Sequence, residues 1–414
     1  MMKPSDGFFA VIVAICIGLT GCYEEKAKIV DDYWFGDSNL YNGWAVALDG
    51  NYAAIGNPQG YNVYGFKSGS VYIAERKNGD WLANPDKIAP TDLNNDDFFG
   101  FAVGMDSGRL IVGANHRQEA RVYQRFSALG NDNLWYEQGT LQASDVASGD
   151  SFGVAVDISG DWAIVGAPFD DNGRGTNAGA AYLFQWTGSN WIQRRKILAS
   201  DGAAGDIFGW AVALDADTAV VGAPSDDNQR GSNAGAVYIF RRNGTSWIQV
   251  SKQIASDSGS GDALGRSVAI QNDFILAGAY ADDNANGTNA GAAYFFTADA
   301  SGAYSQKMKL IADDGAGGDQ FGNCVALTDY FAAIGAPYHD TAAGANAGAV
   351  YIYYLSGDEL LYLEKRVASD AAAGDLFGYR TAMDGDYALF SALYDDNSVG
   401  FDAGAGYIFE REED

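Results

Sequence analysis

The chain has 414 residues, 47% of them hydrophobic, with 53 glycines, three cysteines and a net charge of −28. A surface this acidic repels nucleic acid and anionic lipid headgroups, so neither is an expected partner. Seven copies of a unit of about 56 residues fill the chain after a short leader, so one large repeat domain is expected over residues 22–414 and no second domain.

The leader comes first. Lys3 precedes an apolar run from Phe8 to Leu19, which is shorter than the ~20 residues that span a bilayer. The run ends in Leu19-Thr20-Gly21-Cys22, which resembles the lipobox of bacterial lipoproteins. That resemblance implies cleavage of residues 1–21, export through the general secretory pathway, and lipidation (palmitate included) at Cys22. Several acyl chains would hold the protein firmly to an envelope membrane through the anchor alone. Tyr23 after that cysteine suits outer-membrane sorting in a diderm cell. Only Cys324 then remains in the body of the chain, so no intrachain disulfide is expected there.

From residue 42 onward a motif recurs at Gly43, Gly100, Gly153, Gly209, Gly265, Gly322 and Gly378. Residues 201–254 serve as the type unit. Trp210–Leu214 and Thr218–Val221 read as short strands A and B around an Asp215-Ala216-Asp217 turn. Gly235–Phe240 and the segment from Trp247 to Val250 and beyond read as strands C and D around Arg242-Asn243-Gly244. Four antiparallel strands per unit, with small inner residues and large aromatic outer ones, imply an all-β, seven-bladed propeller. The seventh unit ends at Phe409 without a strand D. Lys26-Ala27-Lys28-Ile29-Val30 near the N-terminus matches the missing piece, so it is expected to complete blade seven and close the ring.

Phe208-Gly209 followed by Gly222-Ala223-Pro224, and Phe152-Gly153 followed by Gly166-Ala167-Pro168, resemble the FG-GAP repeat of the integrin α-subunit propeller and its bacterial relatives. The resemblance implies a propeller used for adhesion or protein recognition. The integrin calcium hairpin between strands A and B is missing, because only short turns such as Asp215-Ala216-Asp217 stand there.

Alternation of strands puts the D–A and B–C loops on one face. The D–A loops carry aspartate pairs such as Asp145/Asp150 and Asp201/Asp206. The B–C loops carry Asp170-Asp171, Asp226-Asp227, Asp282-Asp283 and Asp395-Asp396, each followed by Asn. Such a ring could hold Ca²⁺, which takes six to eight oxygen ligands, though Asp, Asn and Gly also build tight turns with no metal. No cofactor is required on this reading. In blade six His339 replaces the first aspartate and is expected at the surface.

Blades one and two break the pattern. Their B–C segments offer Tyr61, Tyr64 and Phe66, and His116, Arg117 and Arg121, read here as exposed loop groups that anchor a partner. Terminal repeats also diverge for ring closure alone. Taken together the sequence points to a lipid-anchored, monomeric, non-catalytic binding or scaffolding propeller with a protein or glycan partner. A carbohydrate-active enzyme using a carboxylate pair, or a calcium-dependent adhesin, are the alternatives.

Overall fold

A computed structural model describes residues 22–30, 41–60, 66–82, 85–127, 133–398 and 400–412. The leader, Tyr61 and Tyr64 lie outside the described residues.

Seven antiparallel sheets stand around one axis. In the type unit the strands are Ala211–Asp215, Thr218–Ala223, Ala236–Asn243 and Ser246–Gln253, as the sequence pattern predicts. In blade one strand D is split into Asp80–Trp81 and Asp86–Ile88. Each strand A packs beside the strand A of the next blade, and the seventh packs beside the first. The apolar core lies between blades: Trp162, Ile164 and Leu183 of blade three meet Val212, Val221 and Tyr238 of blade four in one buried cluster.

The ring closes through the N-terminus. Tyr23–Ile29 pairs antiparallel with Ala405–Arg411, with Ala27 opposite Ile408 and Lys28 opposite Tyr407. The strand begins three residues before the expected Lys26, and fully buried Tyr23 packs edge-on against Phe331 of blade six. Both otherwise bare sheet edges are thereby covered.

The recurring glycines set how close the blades approach. The Gly209 amide donates to the Gly222 carbonyl within blade four. A Cβ on Gly222 would run into the carbonyl oxygen of Gly265 in the next blade. Gly209 itself has φ +96°, a conformation that glycine adopts without penalty. The Phe208 amide then donates to Ala178 of blade three, so the motif ties each blade to its neighbour through main-chain bonds.

Candidate functional site

The face built from D–A and B–C loops carries a charged cluster in each of blades two to seven. In blade three Tyr182 on strand C donates its hydroxyl to Asp145 at 3.0 Å and Asp170 at 2.8 Å. Lys196 on strand D reaches the same two carboxylates at 2.7 and 2.8 Å. Alternation explains the meeting: Tyr182 and Lys196 are opposite each other on paired strands, beneath the two loops. Asn172 adds a bond to Asp170, and Asp171 accepts the Asn177 amide. The set recurs as Tyr238, Asp201, Asp226 and Lys252, and as Tyr294, Asp257, Asp282 and Lys309. In blade seven Tyr407, Asp370 and Asp395 are joined by Lys28 from the closing strand.

These contacts decide the chemistry of the acidic ring. Burial raises the Asp145 carboxyl, but the Lys196 and Tyr182 hydrogen bonds outweigh it and hold the group below its ordinary range. Burial and the flanking aspartates push the Tyr182 phenol upward, so it remains a donor. The second loop aspartate is different: Asp150 accepts the Ala147 amide, and burial raises its carboxyl. Asp375, its counterpart in blade seven, is pushed up to about 6 by burial and then by neighbouring aspartates. A lysine ammonium thus occupies the place between carboxylates where a cation would sit. Asp171, Asp227, Asp283 and Asp396 are exposed and engaged by loop amides.

Two sequence expectations are corrected. His339 is buried at 6% exposure, with Nδ1 2.8 Å from Asp319 and Nε2 3.2 Å from Lys365. It lies inside the blade-six cluster because it takes the place of the buried first aspartate. Arg121 is likewise no exposed loop residue. It lies on strand Glu119–Ser127 at the position of Tyr182, 4% exposed, and binds both oxygens of Asp92 at 2.8 Å and Glu119 at 2.8 Å. Arg117 stands at the position of Asp170 and bonds Asp92, Asp97 and Glu119. Blade two has therefore reversed the charges of the repeated cluster and kept it closed. Of the proposed patch, His116, whose ring lies tilted against Phe98 at 4.3 Å, and Phe66, 43% exposed, face solvent.

The same face opens on the axis into a cavity of about 440 Å³ lined by the seven A strands. The residue after each motif glycine forms its rim: Trp44, Phe101, Val154, Trp210, Arg266, Asn323 and Tyr379. Trp44 packs against Phe101 at 5.2 Å and Tyr379 at 5.9 Å. The Arg266 guanidinium lies over Trp210 at 4.9 Å and Tyr280 at 5.5 Å, and Arg380 lies over Tyr379 at 4.5 Å. Deeper in, the wall narrows to small residues such as Ala155 and Ala211.

Five stretches, residues 135–184, 191–240, 247–296, 304–353 and 363–409, match the model of the FG-GAP repeat family. They cover more than half of the chain. The chain belongs to the FG-GAP repeat family. Each matched stretch runs from the strand D region of one blade to strand C of the next, so FG-GAP repeats and structural blades are offset by one strand. The first stretch starts at 135, after the divergent loops of blades one and two. In a comparison with curated proteins, none matches the chain.

The aspartate ring is brought together where the FG-GAP spacing places it. What sequence reading missed is the Tyr–Lys half of each cluster, and the arginines of the channel. The first was signalled by the recurrence of Tyr182, Tyr238, Tyr294, Tyr351 and Tyr407. The second was signalled by Arg266 standing at a position that is aromatic in four sister repeats.

Proposed function

We propose that this FG-GAP propeller is a non-catalytic binding module, anchored by lipid on Cys22 to an envelope membrane, that presents its loop face to a protein or glycan partner. The observation that carries the reading is the position of Cys22. It is exposed and leads directly into the closing strand, and its carbonyl accepts the Glu412 amide at 3.0 Å. That end of the strand lies on the face of the A–B and C–D turns, opposite the loop face. A lipid on Cys22 holds the turn face toward the bilayer and leaves the loops and the channel mouth pointing away from it. Among the described residues no helix is long and apolar enough to cross a membrane.

The non-catalytic part rests on the loop carboxylates. Asp145, Asp170 and their counterparts in blades four, five and seven are each tied to a lysine and a tyrosine, so among these carboxylates no acid and base face a common reacting atom. Fractionation of Cys22→Ser tests the anchor: the variant is expected in the soluble fraction. Pull-down from envelope extracts tests binding: a partner retained by wild type is lost when a bulky tag is placed in the Arg230–Ser232 loop, and kept when the tag follows Gly244 on the turn face. Membrane retention of an unprocessed serine variant, or a partner blocked only from the turn face, overturns the reading.

A further inference from the structure

We propose that the mouth of the central channel is a binding site for a carboxylated sugar, with Arg266 and Arg380 as the carboxylate-holding residues. The inference rests on the loop face being the binding face and names what it binds.

The chain has 54 acidic residues against 26 lysines and arginines, and several of its partly buried arginines hold carboxylates. Arg76, Arg109, Arg121 and Arg411 each do so. Among the described residues, the Arg266 side chain has no hydrogen bond or ion pair, and the Arg380 side chain donates only to the Tyr379 carbonyl at 3.0 Å. Both line the cavity. Burial and then the charge of Arg380 push the Arg266 guanidinium downward. Enclosed charge is costly unless it is paired, and an anion in the mouth supplies the partner that the fold withholds. A guanidinium fork matches carboxylate geometry.

The rest of the rim indicates what carries the carboxylate. Trp44, Trp210 and Tyr379 are half-buried and present ring surface to the cavity. Among the described residues the enclosed Trp44 indole N–H has no acceptor. Aromatic walls with a few convergent polar groups suit a small ligand with an apolar face and a polar edge. A pyranose has that form, since its C–H face lies on an aromatic ring while its hydroxyls accept and donate at the edge. A hexuronic acid adds the anion. It could arrive as a free acid or as the end of an acidic glycan.

Intrinsic tryptophan fluorescence of the full-length protein, held in a polyoxyethylene detergent free of sugar, follows the site through Trp44 and Trp210, two of the nine tryptophans in the chain. Titration with glucuronate and with an oligogalacturonate is expected to give saturable changes, and glucose none. Arg266→Met and Arg380→Met are expected to weaken binding about tenfold or more, as loss of a hydrogen-bonded charge does, with near-ultraviolet circular dichroism unchanged. Should Arg266→Met fail to fold, Arg266→Lys keeps the charge without the fork and is expected to bind weakly. Tighter binding of the oligomer assigns the source as a glycan, and equal binding assigns it as a free acid. Equal response to glucose, wild-type affinity in the methionine variants, no response to either acid, or an acidic peptide binding tenfold tighter than both would overturn the proposal. None of those results affects the fractionation and pull-down outcomes, so this inference can fail alone.

Discussion

The Lys28 ammonium lies 2.8 Å from an Asp395 carboxylate oxygen, although 367 residues separate the two in the chain. In blades three, four and five the equivalent lysine comes from the same repeat as its aspartates. Here the first described strand supplies it, so ring closure and charge satisfaction are one event.

Lys28→Met is therefore expected to cost more than its local contacts suggest. Asp395 is almost fully enclosed and Lys28 partly exposed, so the loss is set at about 2 kcal/mol, below the ~3–5 kcal/mol of a fully buried broken pair. Hydrogen exchange should show Ala405–Arg411 opening, whereas Lys196→Met should loosen blade three alone. Deleting residues 23–30 should lower the melting temperature of the whole domain. An unchanged melting temperature after the deletion would rule out the closure role.

Arg121→Ala should destabilise by about 3 kcal/mol, because it removes the more buried of the two cations on enclosed Glu119 and leaves Arg117 alone to hold it. The double variant Glu119→Ala, Arg121→Tyr restores the Ala180 and Tyr182 pattern of blade three and should recover much of the loss. Urea denaturation of the two variants checks this. A single variant as stable as wild type would return Arg121 to the role of a free surface group.

Asp157 gives a pH test. It is the one carboxylate at its level of the inner strands, where sister repeats have alanine or Gly104, and it accepts the Ile158 and Leu214 amides. Burial pushes its carboxyl up from 3.8 to about 7. Between those values the folded chain holds a proton that the unfolded chain releases, so this group's contribution to stability falls as pH rises from about 4 to about 7. Asp157→Ala should flatten that part of the melting-temperature profile. An identical slope in wild type and variant would remove Asp157 as its source.

Calcium should bind weakly at most. Lys252 and Tyr238 already occupy the Asp226 carboxylate, and a divalent ion would have to expel the lysine. A site with a Kd near 10 μM would add about 2.7 kcal/mol at 1 mM calcium. Calorimetric titration and melting with and without calcium are expected to show no such gain, and several tight sites would reverse this reading.

The sequence by itself determined the number of blades, their strand order and the closing segment. Those properties are periodic: small residues at the axis, turns of Asp and Gly, and Lys28 in the same frame as Lys196 are visible in one dimension. It also determined that the Asp145 and Asp170 loops share a face, since strand alternation requires it. Only the tertiary structure decided which charges face which partners. Arg121 reads as a loop residue beside Arg117, yet pairing with Val112 places it on a strand and turns its head inward. His339 reads as a surface substitution until Asp319 and Lys365 are seen to enclose it. Arg266 and Arg380 lie more than a hundred residues apart and converge because seven inner strands meet at one axis. Repetition is local and survives in the sequence, whereas a contact across the axis depends on the angle between blades, which no single repeat encodes.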